Sequence, residues 1–107
     1  MRILLDECVP RGLARALADL DVAHVVDLGW SGRRNGVLLA SMLTAGYTVF
    51  ITVDRNLAFQ QNIPAADVCV IVLHAAKDRV QDPVPLLPEV RAILATAALG
   101  KVYRAGV

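Results

Sequence analysis

Aromatic residues are scarce in this chain: two Phe, two Tyr and one Trp make up 5% of its 107 positions. Any core must therefore be built from Ala, Val, Leu and Ile, and a hydrophobic fraction of 56% supplies them in an amount that excludes intrinsic disorder. Cysteine is also sparse. Cys8 and Cys69 are too few and too far apart for a zinc site or a disulfide framework. Both lie among apolar neighbours and are expected to be buried free thiols in a reducing cytoplasm. An excess of charge is missing too, since 11 basic and 10 acidic side chains leave a formal charge of +1. That balance argues against gripping nucleic acid by bulk electrostatics, while allowing a local basic patch. No apolar run approaches the roughly 18 residues that span a bilayer. The opening MRILLDECVP has two acidic residues by position 7, unlike a signal peptide. No glycine-rich phosphate loop is present, and no Ser/His/Asp or Cys/His arrangement stands out. Secreted, membrane-spanning and zinc-ribbon classes are excluded, and a cytoplasmic location with no membrane association is expected.

The length suits one domain, 1–107, and neither repeats nor linkers interrupt it. Arg2–Leu5 is a short apolar run suited to a strand buried on both faces. Pro10 stands where a helix can start, and Leu13, Ala14, Leu17, Ala18 and Leu20 follow at helical spacing. Val22–Val26 reads as a second strand. Gly29, Ser31 and Gly32 mark a loop, and Asn35 or Gly36 can cap a helix carrying Val37, Leu38, Leu39, Met42 and Leu43, which Gly46 ends. Tyr47–Thr52 is β-branched and aromatic, hence a strand. Arg55–Asn62 predicts a short helix before Pro64, Val68–Leu73 a buried strand, Pro83–Leu99 a long helix and Lys101–Arg104 an edge strand. Strands alternating with helices, apolar on both faces, define an α/β fold with a mostly parallel sheet of four or five strands. Right-handed crossovers would put helices on both faces. In such sheets ligands bind beyond the C-terminal strand ends, where strand order reverses.

Acidic residues stand at two of those ends: Asp6 and Glu7 after the first strand, Asp54 after the third. Carboxylates held together repel unless a cation lies between them or one is protonated. An oxygen-only set suits Mg2+ or Mn2+, which keeps several waters and needs one or two protein carboxylates. Such a cation activates water and stabilises charge developing on a phosphodiester. In the plainer reading Asp6 and Asp54 cap the helices that follow them, and Glu7 is solvated. Arg11, Arg33, Arg34 and Arg55 fall in loops or helix starts at the same edge, where arginines would hold the phosphates of a polyanion; the resemblance described below makes that polyanion RNA. Trp30 lies in an adjacent loop, either packed over it or stacked on a base. His24 reads as a core or sheet-face histidine, and His74 ends the fourth strand near the acidic edge. Lys77-Asp78-Arg79 reads as a solvated loop, and Gln60-Gln61-Asn62 as a polar helix face or a set of amide donors.

Four blocks, LLDECVPRGLARAL, DLGWSGRRNGVLLA, TVDRNLAFQQN and VCVIVLHA, cover essentially the whole chain. Together they resemble the small PIN-like proteins related to the Mut7 C-terminal domain, which are similar to VapC-type PIN toxins. The resemblance implies a PIN-like α/β/α sandwich and a metal-dependent ribonuclease that works with Mg2+ or Mn2+. By position it makes Asp6, Glu7 and Asp54 the catalytic acids, and Asp6, Asp54 and Asn35 the metal ligands. It further implies a small antitoxin partner. Val37 and Asn56 depart from the pattern, standing where many relatives carry acids, and an amide ligand adds no negative charge.

Two other readings compete with a nuclease. One is a PIN-like module without catalysis that binds protein or RNA. The other is a phosphorelay receiver, which shares an acidic pair after the first strand and an aspartate after the third. A receiver also needs a hydroxyl residue after the fourth strand and a lysine after the fifth, and here His74-Ala75-Ala76 follows the fourth. An exposed apolar helix face would mark a protein interface, and a homodimer is expected.

Overall fold

A computed structural model describes residues 1–56, 67–74 and 84–106. Five strands run β1 (Arg2–Leu5), β2 (Asp21–His24), β3 (Val49–Thr52), β4 (Cys69–Leu73) and β5 (Val102–Ala105). Between them lie α1 (Gly12–Ala16), α2 (Asn35–Thr44) and α3 (Leu87–Thr96), the last preceded by a 3-10 turn at Val84–Leu86. The sheet has the order β2-β1-β3-β4-β5 and every pairing is parallel.

The three inner strands are the apolar runs of the sequence, because a parallel strand covered on both sides has no face for polar residues. Ile3, Leu4, Leu5, Phe50, Ile51, Val70 and Ile71 are all fully buried. Alternation sorts these residues into two layers. Ile3, Leu5, Ile51 and Ile71 pack with Leu13 and Leu17 after β1, and with Val90 and Leu94 of α3. Leu4, Phe50, Val70 and Val72 pack instead with Leu38, Leu39 and Met42 of α2. The chain is thus a three-layer α/β/α fold, with α1 and α3 on one face and α2 on the other.

Those faces fix the relative hand of the crossovers. From β1 to β2 and from β2 to β3 the chain moves in opposite directions on opposite faces, so these two share one hand. From β4 to β5 it moves in the same direction as from β2 to β3, yet α3 lies on the face opposite α2. The three connections are therefore not all right-handed, contrary to the expectation from the usual rule. Apolar packing against α1 accompanies this placement. The Arg91 guanidinium of α3 also donates to Asp19 at 2.7 and 3.0 Å and to the Ala16 carbonyl at 3.0 Å.

Several elements are shorter than their sequence pattern. After Ala16 the hydrogen bonds tighten to three-residue spacing, Ala18 N–H to the Arg15 carbonyl and Leu20 N–H to the Leu17 carbonyl. This turn keeps Leu17 buried while steering the chain into β2. Strand β2 stops at His24 rather than Val26 because it is an edge strand whose single partner, β1, ends at Leu5. Tyr47 precedes β3 proper, yet it is buried in the α2 layer. The helix expected over Pro83–Leu99 begins at Leu87, after Pro85 has entered the 3-10 turn, with Pro88 in its first turn. Residues 57–66 and 75–83 lie outside the described residues. With them go most of the short helix expected over Arg55–Asn62 and the readings of Gln60-Gln61-Asn62 and Lys77-Asp78-Arg79. Cys69 is buried as expected, whereas Cys8 is exposed, because it follows β1 in a turn at the sheet edge.

Candidate active site at the β1/β3 strand ends

Strand order reverses between β1 and β3, and the register pairs Leu5 with Ile51. The next residues, Asp6 and Thr52, therefore stand side by side at the strand ends, Thr52 being the last residue of β3, and the Asp6 N–H donates to the Ile51 carbonyl at 2.9 Å. Asp6 is 8% exposed and Thr52 is fully buried. The Thr52 hydroxyl donates to Asp6 Oδ2 at 2.7 Å and accepts the Asp54 N–H at 3.0 Å. One buried hydroxyl thus joins the two aspartates that the sequence singled out. Thr52 had no assigned role in the sequence reading. Its signal is a lone hydroxyl closing an otherwise apolar strand, two residues before an aspartate.

Asp6 collects two further donors, the Glu7 N–H on Oδ1 at 2.8 Å and the Cys8 thiol on Oδ2 at 3.4 Å. Although Cys8 as a residue is exposed, its thiol is partly desolvated against Asp6 and Thr52, and this, reinforced by the Asp6 charge, raises it above its ordinary value, so the thiol keeps its proton and donates it. Asp54 accepts the Asn56 N–H on Oδ1 at 2.9 Å and the Asn35 amide on Oδ2 at 3.3 Å. Asp6 caps no described helix, since α1 has Arg11 at its N-cap with no side-chain cap bond. The helix that Asp54 was expected to cap lies outside the described residues, and the bond from the Asn56 N–H is of the kind an N-cap or a local turn makes.

An ionised carboxylate offers about four lone pairs. Three donors meet Asp6 and two meet Asp54, so acceptor capacity remains on both. Among the described residues no three His, Cys, Asp or Glu side chains assemble into a metal-binding group. A hydrated Mg2+ or Mn2+ keeps several waters and needs only one or two protein carboxylates, a requirement that free acceptor positions on Asp6 and Asp54 would meet. Asp6 and Asp54 would hold it, with Asn35, at the first position of α2, beside Asp54.

The other expected site residues are divided. Glu7 accepts the Gly32 N–H at 3.1 Å. Arg11 pairs with Asp27 at 2.9 Å, both half-exposed. Arg33 donates to Ser41 at 2.9 Å and lies over the Trp30 ring, 5.0 Å from its centroid. Arg34 and Arg55 are exposed, the latter directly after Asp54. Trp30 packs edge-on to Tyr47 at 6.3 Å, so it is first a packing residue of the α2 layer. Asn56 reaches Asp54 through its backbone, and Val37 is 56% exposed on α2. His24 is buried as expected. Its Nε2 bonds the Val9 carbonyl at 2.8 Å and its Nδ1 accepts the Val26 N–H at 3.1 Å, which together assign the Nε2–H tautomer. The ring thereby ties the loop after β1 to the end of β2. His74 follows β4 at the same sheet edge, and its N–H donates to the Ala105 carbonyl at 2.7 Å.

Fold and site together define a parallel α/β/α domain with an aspartate pair at its topological switch point, and no described helix is long and apolar enough to cross a membrane. Compared with protein-family models, curated proteins and solved structures, the chain matches none.

Proposed function

We propose that this chain is a PIN-like, metal-dependent ribonuclease of the toxin type. The observation that carries the reading is the buried Thr52 hydroxyl at the β1/β3 strand ends, which donates to the Asp6 carboxylate and accepts the backbone N–H of Asp54. A bound Mg2+ or Mn2+ supplies a water of lowered pKa and neutralises charge developing on the scissile phosphate. Asp6 and Asp54 hold that cation, and Asn35 orients Asp54. The exposed Arg34 and Arg55 bind phosphates of the RNA strand. Arg11, which pairs with Asp27, and Arg33, which lies over Trp30, complete the set of arginines that would contact the strand.

The test is cleavage of a mixed single-stranded RNA pool with manganese or EDTA, using wild type, Asp6→Asn and Asp54→Asn purified identically. Manganese-dependent cleavage lost in both variants is the expected result. Cleavage unchanged in both would refute the assignment of the site.

A second reading, a PIN-like module that binds without cleaving, is favoured by one observation. Val37 and Asn56 bring no further carboxylate, and protein donors already occupy both aspartates. A folded protein that cleaves nothing and gains no thermal stability from manganese would select it. Either reading includes protein partners, a small antitoxin and a second copy of the chain. Apolar side chains left exposed, Val37 at 56% and Leu43 at 38%, support a protein interface on α2. Light scattering showing only monomer at micromolar concentration would remove the homodimer.

A further inference from the structure

Among the described α-helices, α2 alone carries no charged side chain: Asn35–Thr44 reads NGVLLASMLT. Leu38, Leu39 and Met42 are its face buried against the sheet. The opposite face is exposed, yet it offers Gly36, Val37, Ala40 and Thr44 where a surface helix normally carries charge. Such a composition is typical of a helix covered on both sides.

That exposed face is also shaped. Gly36, Ala40 and Thr44 form one row at four-residue spacing, and Val37, Ser41 and Ala45 form the next. Together with Trp30 they line an open groove of about 620 Å³. Tyr47 holds the Trp30 ring in place, edge-on at 6.3 Å. Rows at this spacing are the ridges against which a second helix packs.

One charge lies at the groove. Arg33 donates to Ser41 Oγ at 2.9 Å and sits over the Trp30 ring, and both of those residues line the groove. No carboxylate among the described residues lies within ion-pair distance of this guanidinium. An apolar floor beside a single cation is complementary to an apolar stripe beside a carboxylate. A second copy docking α2 on α2 does not supply one, because α2 has no acidic residue.

We propose that this groove is the docking site for an amphipathic helix of a partner protein, with its aliphatic stripe along α2 and a carboxylate on Arg33. The proposal rests on the reading of α2 as a protein interface and does not depend on RNA cleavage. A bound helix would withdraw the Arg33 guanidinium from any RNA strand.

The probes are three synthetic, end-capped helical peptides without tryptophan, identical except at one position. Each carries alanine and leucine at four-residue spacing, with glutamate, glutamine or lysine beside that stripe. Emission of Trp30, the sole tryptophan, follows their binding to the full-length chain. At low salt the glutamate peptide should bind about threefold tighter than the glutamine peptide and about tenfold tighter than the lysine one. Added salt should narrow both ratios. Arg33→Glu should reverse the order, leaving the lysine peptide tightest. Ala40→Arg fills the groove from an exposed helical position. It should weaken all three peptides about tenfold while unfolding within about 4 °C of wild type. Equal binding of the three peptides, or an order unchanged in Arg33→Glu, overturns the carboxylate pairing and leaves the interface standing. Binding that survives Ala40→Arg overturns the groove as the site. No peptide binding, with a wild-type dimer that Ala40→Arg makes monomeric, overturns the proposal in favour of a second copy. No peptide binding by a chain that is monomeric at micromolar concentration overturns the proposal and the interface reading together.

Discussion

Replacing Thr52 with valine keeps the shape of the side chain and removes the hydroxyl that donates to the Asp6 carboxylate and accepts the Asp54 backbone N–H. Thr52 is fully buried, so no water takes the place of that oxygen. Asp6, itself 8% exposed, would keep the Glu7 amide and the Cys8 thiol but lose its shortest hydrogen bond, at 2.7 Å. A bond to a charged acceptor contributes about 1.5–3 kcal/mol. The Asp54 N–H would lose its 3.0 Å partner as well, at a smaller cost because Asp54 is only half-buried. The sum is about 2–4 kcal/mol, or roughly 10–20 °C in Tm for a domain of this size. Thr52→Ser is the control: it keeps the hydroxyl and removes one buried methyl, at about 1 kcal/mol. Thermal and urea unfolding of the two variants beside wild type measures both quantities. A valine variant within about 0.5 kcal/mol of wild type, or a serine variant less stable than the valine one, would refute the argument that the hydroxyl organises the site.

Two further outcomes follow from the packing. Gly106 sits at φ +85°, and a Cβ there would lie 2.1 Å from the His74 carbonyl oxygen. Gly106→Ala should therefore lower the urea midpoint by the equivalent of about 1–3 kcal/mol, and also weaken the Gly106 N–H bond to Glu89; an unchanged midpoint would contradict the close approach. Burial pushes the Cys69 thiol up from 9.0 to about 11. Between those values the folded chain keeps a proton that the unfolded chain releases, so this group's contribution is full below about pH 9 and is lost as pH rises towards about 11. Urea midpoints from pH 7 to 11 should fall less steeply for Cys69→Ala than for wild type, and parallel curves would refute the assignment.

The β/α alternation was legible in the residues, because short apolar runs and helical spacing are local properties of the chain. Arg2–Leu5 and the core of the Tyr47–Thr52 and Val68–Leu73 runs became β1, β3 and β4, and Asn35 opened α2. The acidic positions were legible too, since a strand end followed by a carboxylate at the switch point is a pattern of sequence and topology together. Element ends were less so. The ends of β2 and α1 depend on where β1 stops and where the chain must turn, which no local window contains.

By itself, then, the sequence determined the fold class, the apolar core and the placing of Asp6 and Asp54 at strand ends, which follow from residue type and spacing; that those two strands are neighbours came from the sheet order. Tertiary structure decided what those residues touch. It set Thr52 between the aspartates because the β1/β3 register places it beside Asp6. It turned Glu7 to Gly32 and exposed Cys8, both in the turn after β1. It also laid α3 on the α1 face, against the usual hand of such connections. Register, side-chain direction and crossover hand arise from contacts between segments far apart in the chain, and those contacts exist only once the sheet has formed.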